Sequence, residues 1–169
     1  MSCNLIQGNE INCRDSVGGV EAIYIANFSN VQSYTASSGV VSAITMVPGT
    51  RFYTFQLEKE NATYENKMNG SLENGTTFFD STLTFTMKKL SASMKNSIKT
   101  LGQSRLVVIV KDNNGVYFVM GLTKGADCLE STMTSGKAYG DMNGATMTIT
   151  GKEPDFDNTY TGSISTITS

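Results

Sequence analysis

Thr82-Leu83-Thr84-Phe85-Thr86-Met87, then Lys88-Lys89-Leu90-Ser91, then Ala92 to Gly102, and then Leu106-Val107-Val108-Ile109-Val110 form the stretch whose reading decides the fold. Leu83, Phe85 and Met87 alternate with threonines, the period-two pattern of a strand with one buried face. The period then changes. Leu90, Met94, Ile98 and Leu101 follow at spacings of four, four and three, which puts them on one side of an α-helix. The spacing predicts a helix over about 90–101, with Ser91 as N-cap, Lys99 near the carbonyl end of the dipole and Gly102 as the stop. The run 106–110 is apolar and mostly β-branched, as expected of a strand covered on both faces. Asp112-Asn113-Asn114-Gly115 supplies residues that tolerate positive φ, so Val116 to Met120 returns as the second arm of a hairpin.

Outward from that unit, Val20 to Phe28 reads as a strand. Val20, Ala22, Tyr24, Ala26 and Phe28 share one face and Ile23 and Ile25 the other, so it belongs in the middle of a sandwich or under a neighbour. Asn30–Tyr34 and Val40–Met46 are shorter strand candidates around Ser37-Ser38-Gly39, and Pro48-Gly49 marks another turn. In Phe52–Leu57, Tyr53, Phe55 and Leu57 alternate with Thr54 and Gln56. Residues 59–76 keep strand spacing at Ala62, Tyr64, Met68 and Leu72 with little else apolar, and are broken at Asn69-Gly70 and Asn74-Gly75. They predict a long polar β-hairpin projecting from the body, with an ordinary mobile surface hairpin as the plainer alternative. Asp127–Met133 is a weak strand. Asp141-Met142-Asn143-Gly144 is a turn before a strand in which Ala145, Met147 and Ile149 alternate with threonines. The expected organisation is an N-terminal arm over 1–18, a β domain over 19–153, and an extended arm or disordered tail over 154–169.

A chain of 169 residues is one domain with a single good core. Only 17% of its residues are charged, and a net charge of −2 gives no basic footprint for nucleic acid. Arg14 is the one basic residue in 1–50, whereas 51–100 hold Arg51, Lys59, Lys67, Lys88, Lys89, Lys95 and Lys99. Those lysines read as a solvated helix face and edge-strand protection. Sequons at Asn27, Asn61, Asn69 and Asn74 are what an Asn- and Thr-rich chain produces by chance. No secretory leader is expected, because Asn4, Asn9 and Glu10 interrupt the first short apolar run; nor is a transmembrane span.

The chemistry of catalysis is sparse. Without histidine there is no Ser-His, Cys-His or His-metal arrangement. Cys3, Cys13 and Cys128 form no CxxC, so free thiols are expected, with a Cys3–Cys13 disulfide as the alternative. Glu58 and Glu60, read on one face of a strand, fit a solvent face better than a glycosidase pair. The Asp141-Asn143-Gly144 triplet lacks the downstream acid of a calcium loop, since Lys152 stands there. No catalytic, cofactor or metal residue is assigned.

Several motifs carry a resemblance. Cys13-Arg14-Asp15-Ser16-Val17-Gly18-Gly19-Val20-Glu21-Ala22-Ile23-Tyr24, preceded by Cys3, is similar to the start of a group of phage virion proteins. So are Glu73-Asn74-Gly75-Thr76-Thr77-Phe78-Phe79, Asp112-Asn113-Asn114-Gly115 into Phe118-Val119-Met120-Gly121-Leu122, Gly125-Ala126-Asp127 and Gly140-Asp141-Met142-Asn143-Gly144. Over residues 3–153 the chain resembles tail tube (major tail) proteins, especially of phages infecting Bacteroidetes. The resemblance implies two packed antiparallel sheets with one flanking helix and a long hairpin. It also implies hexameric rings that stack into a tube in the virion tail, made in the host cytoplasm and conducting DNA through a β-lined channel.

The implied partners are other copies of the chain, other tail proteins and passing DNA, with no membrane embedding. Arg14, Asp15, Tyr64, Met68 and Leu72 are the expected inter-subunit contacts, and Lys95 and Lys99 are expected to face away from the channel. A similar fold serves neck and tail-completion proteins, and capsid decoration is a further alternative. A carbohydrate-binding sandwich is more distant, because the chain has no tryptophan.

Overall fold

The threonine–apolar alternation around Phe85 becomes the longest strand in a computed structural model that describes residues 5, 7–11 and 13–168. In chain order the strands are β1 (Val20–Asn27), β2 (Val31–Ser37), β3 (Val40–Met46), β4 (Tyr53–Gln56), β5 (Ala62–Ser71) and β6 (Thr76–Lys88), followed by the helix α1 (Ala92–Gln103). Then come β7 (Arg105–Asp112), β8 (Tyr117–Met120), β9 (Ala126–Thr134), β10 (Gly144–Glu153) and β11 (Asn158–Tyr160). The chain is mainly β, with α1 its one α-helix among the described residues.

Hydrogen bonding runs through one continuous sheet, β2-β3-β11-β8-β7-β9-β10-β6-β5, with β1 branching from β7 and β4 from β1. The sheet nevertheless works as two layers. One is built around β1, β7 and β8; the other is β9-β10-β6-β5. The link between them is narrow, with Arg105 and Leu106 of β7 paired to Asp127 and Ala126 of β9. The corner needs Gly121: its φ is +75°, and a Cβ there would lie 2.6 Å from the Ala126 backbone nitrogen. The expected all-antiparallel pairing is corrected at two places, where β11 runs parallel to β3 and where Phe52 forms a parallel bridge with Thr168.

Between the layers lies the first core. Ile23, Ile25, Leu106, Val108, Val110 and Met120 meet Leu83, Phe85, Met147 and Ile149 there. Burying each such side chain contributes about 1.5–3 kcal/mol. The opposite face of β1, β7 and β8 carries a second core of Ala26, Val107, Ile109 and Val119, closed by Val41, Ile44, Phe52, Tyr160 and Ile167. The apolar run 106–110 is thus covered on both faces, and all five of its residues are buried. In β1 the expected faces hold from Tyr24 onward. A bulge between Val20 and Ala22 turns Val20 to the side of Ile23 and Ile25.

Ser91 caps α1, its Oγ accepting from Met94 N at 3.2 Å. Leu101 is buried, while Met94 and Ile98 are half-buried. Two boundaries differ from the spacing. Leu90 precedes the cap, because Lys89, with φ of 67°, and Leu90 are held by Asn143 through its carbonyl and its Oδ1. Gly102 lies inside the last turn and Ser104 is the C-cap; its backbone is already extended (φ −112°), so the chain enters β7 without a left-handed stop.

Residues 59–76 are not a hairpin by themselves. They supply β5 and the turn, and the second arm is β6, in register from Ala62↔Phe85 to Ser71↔Thr76. Asn69-Gly70 is no break, because both residues sit in β5; the reversal comes at 72–75, with Gly75 at φ +61°. Glu60 is likewise not on a strand face but in a turn, at φ 62°. The tail is corrected too. Over 154–168 the chain is not an arm: β11 inserts between β3 and β8, Tyr160 and Ile167 are buried, and Phe52 bridges to Thr168. Sparse apolar residues hid this, since each is a single anchor rather than part of a periodic run.

Candidate functional site

The β5–β6 hairpin has a fixed base and a free tip. At the base Ala62 is buried, and the Tyr64 ring stacks on Phe118 at 5.4 Å with a 22° interplanar angle. Tyr64 Oη donates to Asp157 Oδ2 at 2.6 Å, and Ser81 Oγ donates to the same oxygen. Burial, with the Asp157 carboxylate next in importance, pushes the Tyr64 phenol far above its ordinary value. Tyr64, expected as a subunit contact, thus serves within this chain as an anchor, half-buried on the edge strand β5.

Past Glu153↔Phe79 the hairpin leaves its neighbour. Asn69↔Phe78, Gly70↔Thr77 and Ser71↔Thr76 pair beyond the end of β10. Met68 (58% exposed), Leu72 (104%) and Phe78 (39%) stand in solvent there. Met68 and Leu72 thus remain available for a partner.

The two ends of the strand path, β2 and β5, have open outer edges among the described residues. They differ in protection. Beside Ala62 and Tyr64, β5 presents Glu65 and Lys67, the usual device against edge pairing. In β2, Val31 is half-buried and every later residue is exposed. Residues 22–50 contain no charged side chain at all. An uncharged seven-residue edge strand without proline is what isolated proteins avoid. Sequence reading did not single out this surface; the signal was the charge gap between Glu21 and Arg51.

A third surface is the outer face of β10 and β6. Thr146, Thr148 and Thr150 face Thr86, Thr84 and Thr82 across the pair, with hydroxyl contacts of 3.1 Å (Thr86–Thr146) and 3.4 Å (Thr84–Thr148). All six are half-buried. Charge enters only toward its ends, with Asp80 and Lys152 at one and Lys88 at the other, paired with Glu58. That pairing holds the Glu58 carboxyl below its ordinary range, chiefly through the hydrogen bond from Lys88.

Arg14 and Asp15 are exposed, on the segment that enters β1. This segment is tied down just after them: Val17 N donates to Asn114 Oδ1 at 2.8 Å, Asn114 Nδ2 to Val17 O at 2.7 Å, and Asn113 Nδ2 to Gly18 O at 2.7 Å. Lys95 and Lys99 are exposed on α1. Asp141 accepts from the backbone of Lys137 and Ala138, each at 2.8 Å, and these bonds hold its carboxyl below the ordinary range. That geometry is a turn. Cys13 is exposed and Cys128 buried, both free, and burial pushes the Cys128 thiol up. Cys3, half of the alternative disulfide, lies outside the described residues. No helix among them is long and apolar enough to cross a membrane.

No protein-family model matches this sequence, and comparison with curated proteins finds no relative.

Proposed function

We propose that this chain is a structural virion protein whose copies assemble into stacked rings, forming a tail tube that conducts DNA. The observation that carries the reading is the combination of a hairpin locked at Tyr64 and free at Met68, Leu72 and Phe78 with an uncharged open edge at β2. A single copy gains nothing from an apolar tip outside its own sheet or from an uncharged edge guarded only by two irregularities in its pairing with β3; a neighbouring copy can satisfy both. Because the β2 edge and the hairpin tip are different surfaces, a contact between them is head-to-tail, and such contacts close into rings when the rotation allows. The resemblance of residues 3–153 to tail tube proteins points the same way.

In this reading the threonine face of β10 and β6 lines the channel. Its middle is neutral hydroxyls, and the lysines at its ends stand near acids, Lys67 and Lys152 by Asp80 and Lys88 on Glu58, so the duplex meets few unpaired cations and slides without the salt-dependent retention a lysine wall would impose. Lys95 and Lys99 then lie on α1, against the opposite edge of that layer.

The test is electron microscopy and light scattering on concentrated full-length protein, beside Leu72→Asp and Tyr34→Lys. Wild type forms stacked rings, and each variant remains a folded monomer. Wild type that stays monomeric at millimolar concentration overturns the proposal. Single rings that never stack favour the neck or completion role instead. Deleting residues 59–76 is not a usable test, since it removes Ala62 and Tyr64 from the body.

A further inference from the structure

Three side-chain oxygens are buried without a hydrogen-bond partner among the described residues: Asn66 Oδ1, Glu153 Oε2 and Asp157 Oδ1. All three are acceptors, and their residues gather at one end of the first core. Asn66 stands opposite Ser81 in the β5–β6 register, and Ser81 (1% exposed) donates to Asp157. The Asn66 side chain also reaches Tyr64, which donates to the same Asp157 oxygen. Glu153 (6% exposed) lies opposite Phe79 on the next strand, close enough for its charge to act on Asp157.

The donors are distributed unevenly. Glu153 Oε1 accepts from Thr123 N at 3.1 Å and Lys124 N at 2.9 Å, while its Oε2 accepts nothing. Asp157 Oδ2 accepts from both Tyr64 and Ser81, while its Oδ1 accepts nothing. Each carboxylate is thus held by one oxygen and left open at the other, as ligating carboxylates are when outer groups orient them. The nearby lysines do not fill the gap: Lys124 contributes its backbone, and the Lys152 ammonium sits 5.5 Å over the Phe78 ring. Buried acceptors left without donors require water, a proton or an ion.

We propose that this cluster binds a hard divalent cation, Ca²⁺ or Mg²⁺, through Asn66 Oδ1, Glu153 Oε2 and Asp157 Oδ1, with water completing the shell. Oxygen-only ligands with two carboxylates suit these ions rather than a thiophilic metal. No group of three Asp, Glu, His or Cys side chains gathers among the described residues, so an amide and water have to complete the set. A surface cleft of about 440 Å³, bounded by Thr77, Phe78, Lys124, Lys152 and Pro154, reaches the Glu153 side of the cluster. Bound there, the ion ties the loop after β10 to β5 and to the end of β10. The site does not depend on the virion reading.

The experiment is thermal unfolding of the EDTA-treated full chain with added CaCl₂ or MgCl₂ at constant ionic strength. Terbium luminescence excited through tyrosine is read in parallel, since Tyr64 lies in the cluster. One of the two cations should raise Tm saturably, by roughly 5–10 °C at a hundred times its Kd. Terbium emission should appear and be displaced by that cation. Asn66→Ala, and separately Glu153→Gln with Asp157→Asn, should abolish both responses. No saturable shift in wild type at millimolar Ca²⁺ and Mg²⁺ overturns the site and leaves water and a shared proton as occupants. Responses that persist in folded variants overturn it equally.

Discussion

Removing one oxygen from Tyr64 tests how the hairpin is held. Tyr64→Phe keeps the ring stacked on Phe118 at 5.4 Å and deletes the 2.6 Å bond to Asp157. A hydrogen bond to a charged, largely buried carboxylate contributes about 1.5–3 kcal/mol, and Ser81 remains as the other donor to that oxygen. The variant should therefore lose about 1.5–3 kcal/mol. At about 2–4 °C per kcal/mol for a chain of this size, that is a fall in Tm of roughly 3–12 °C. Tyr64→Ala also gives up the stack, and aromatic pairing adds about 0.5–1.5 kcal/mol beyond the area lost. Because the chain has no tryptophan, urea unfolding is best followed by far-ultraviolet circular dichroism, in EDTA so that bound metal does not enter. In a cycle with Asp157→Asn, the Tyr64→Phe cost should shrink to about half or less. A Tyr64→Phe variant within about 0.5 kcal/mol of wild type, or a cost unchanged by Asp157→Asn, refutes the claim that this bond fixes the base.

Burial raises the Asp157 carboxyl above its ordinary 3.8, so the folded state holds that proton more tightly than the unfolded one. In EDTA its contribution to stability is complete below about pH 3.8 and is lost as pH rises through the folded value, and Asp157→Asn should flatten this segment of a Tm–pH profile. Gly144→Ala drives a methyl group onto the Met87 carbonyl where β10 meets β6, and should cost about 1–3 kcal/mol in urea unfolding. Ser91→Ala removes the cap bond to Met94 and should cost about 1 kcal/mol, with the loss confined to α1 in hydrogen exchange. Thr84→Lys with Thr148→Lys sets two like charges directly opposite each other and should cost the monomer about 1 kcal/mol, and on the tube reading it should make assembled rings retain DNA in a salt-dependent manner. Retention that does not change removes the threonine face from the channel.

Periodicity made much of the fold legible. The alternation at 82–87, the spacing of Met94, Ile98 and Leu101 on the helix and the β-branched run at 106–110 each survive because a local pattern meets a consistent environment, whereas Leu90 falls outside the helix. What failed was non-local. Val20 changed sides through a bulge that only its pairing with β7 reveals. The second arm of the hairpin was hidden because β6 reads as a body strand, which it is, while its first residues run on past β10. Asn66, Ser81, Glu153 and Asp157 come from three strands and a loop, at separations no spacing rule covers; only folding brings them together. Met68 and Leu72 were readable as surplus apolar residues on a polar strand. Tyr64 looked the same in sequence, and its burial depends on Phe118 and Asp157 arriving from far along the chain.

Within the described residues, β11 is the only strand besides β2 that pairs with β3. It spans three residues and follows every other strand in chain order. The β2–β3 hairpin, made early, therefore waits for nearly the whole chain to emerge before it is docked. A chain ending before Asn158 would lose the strand that joins β3 to β8, and Tyr160 with it, so its second core should be looser than that of the full chain.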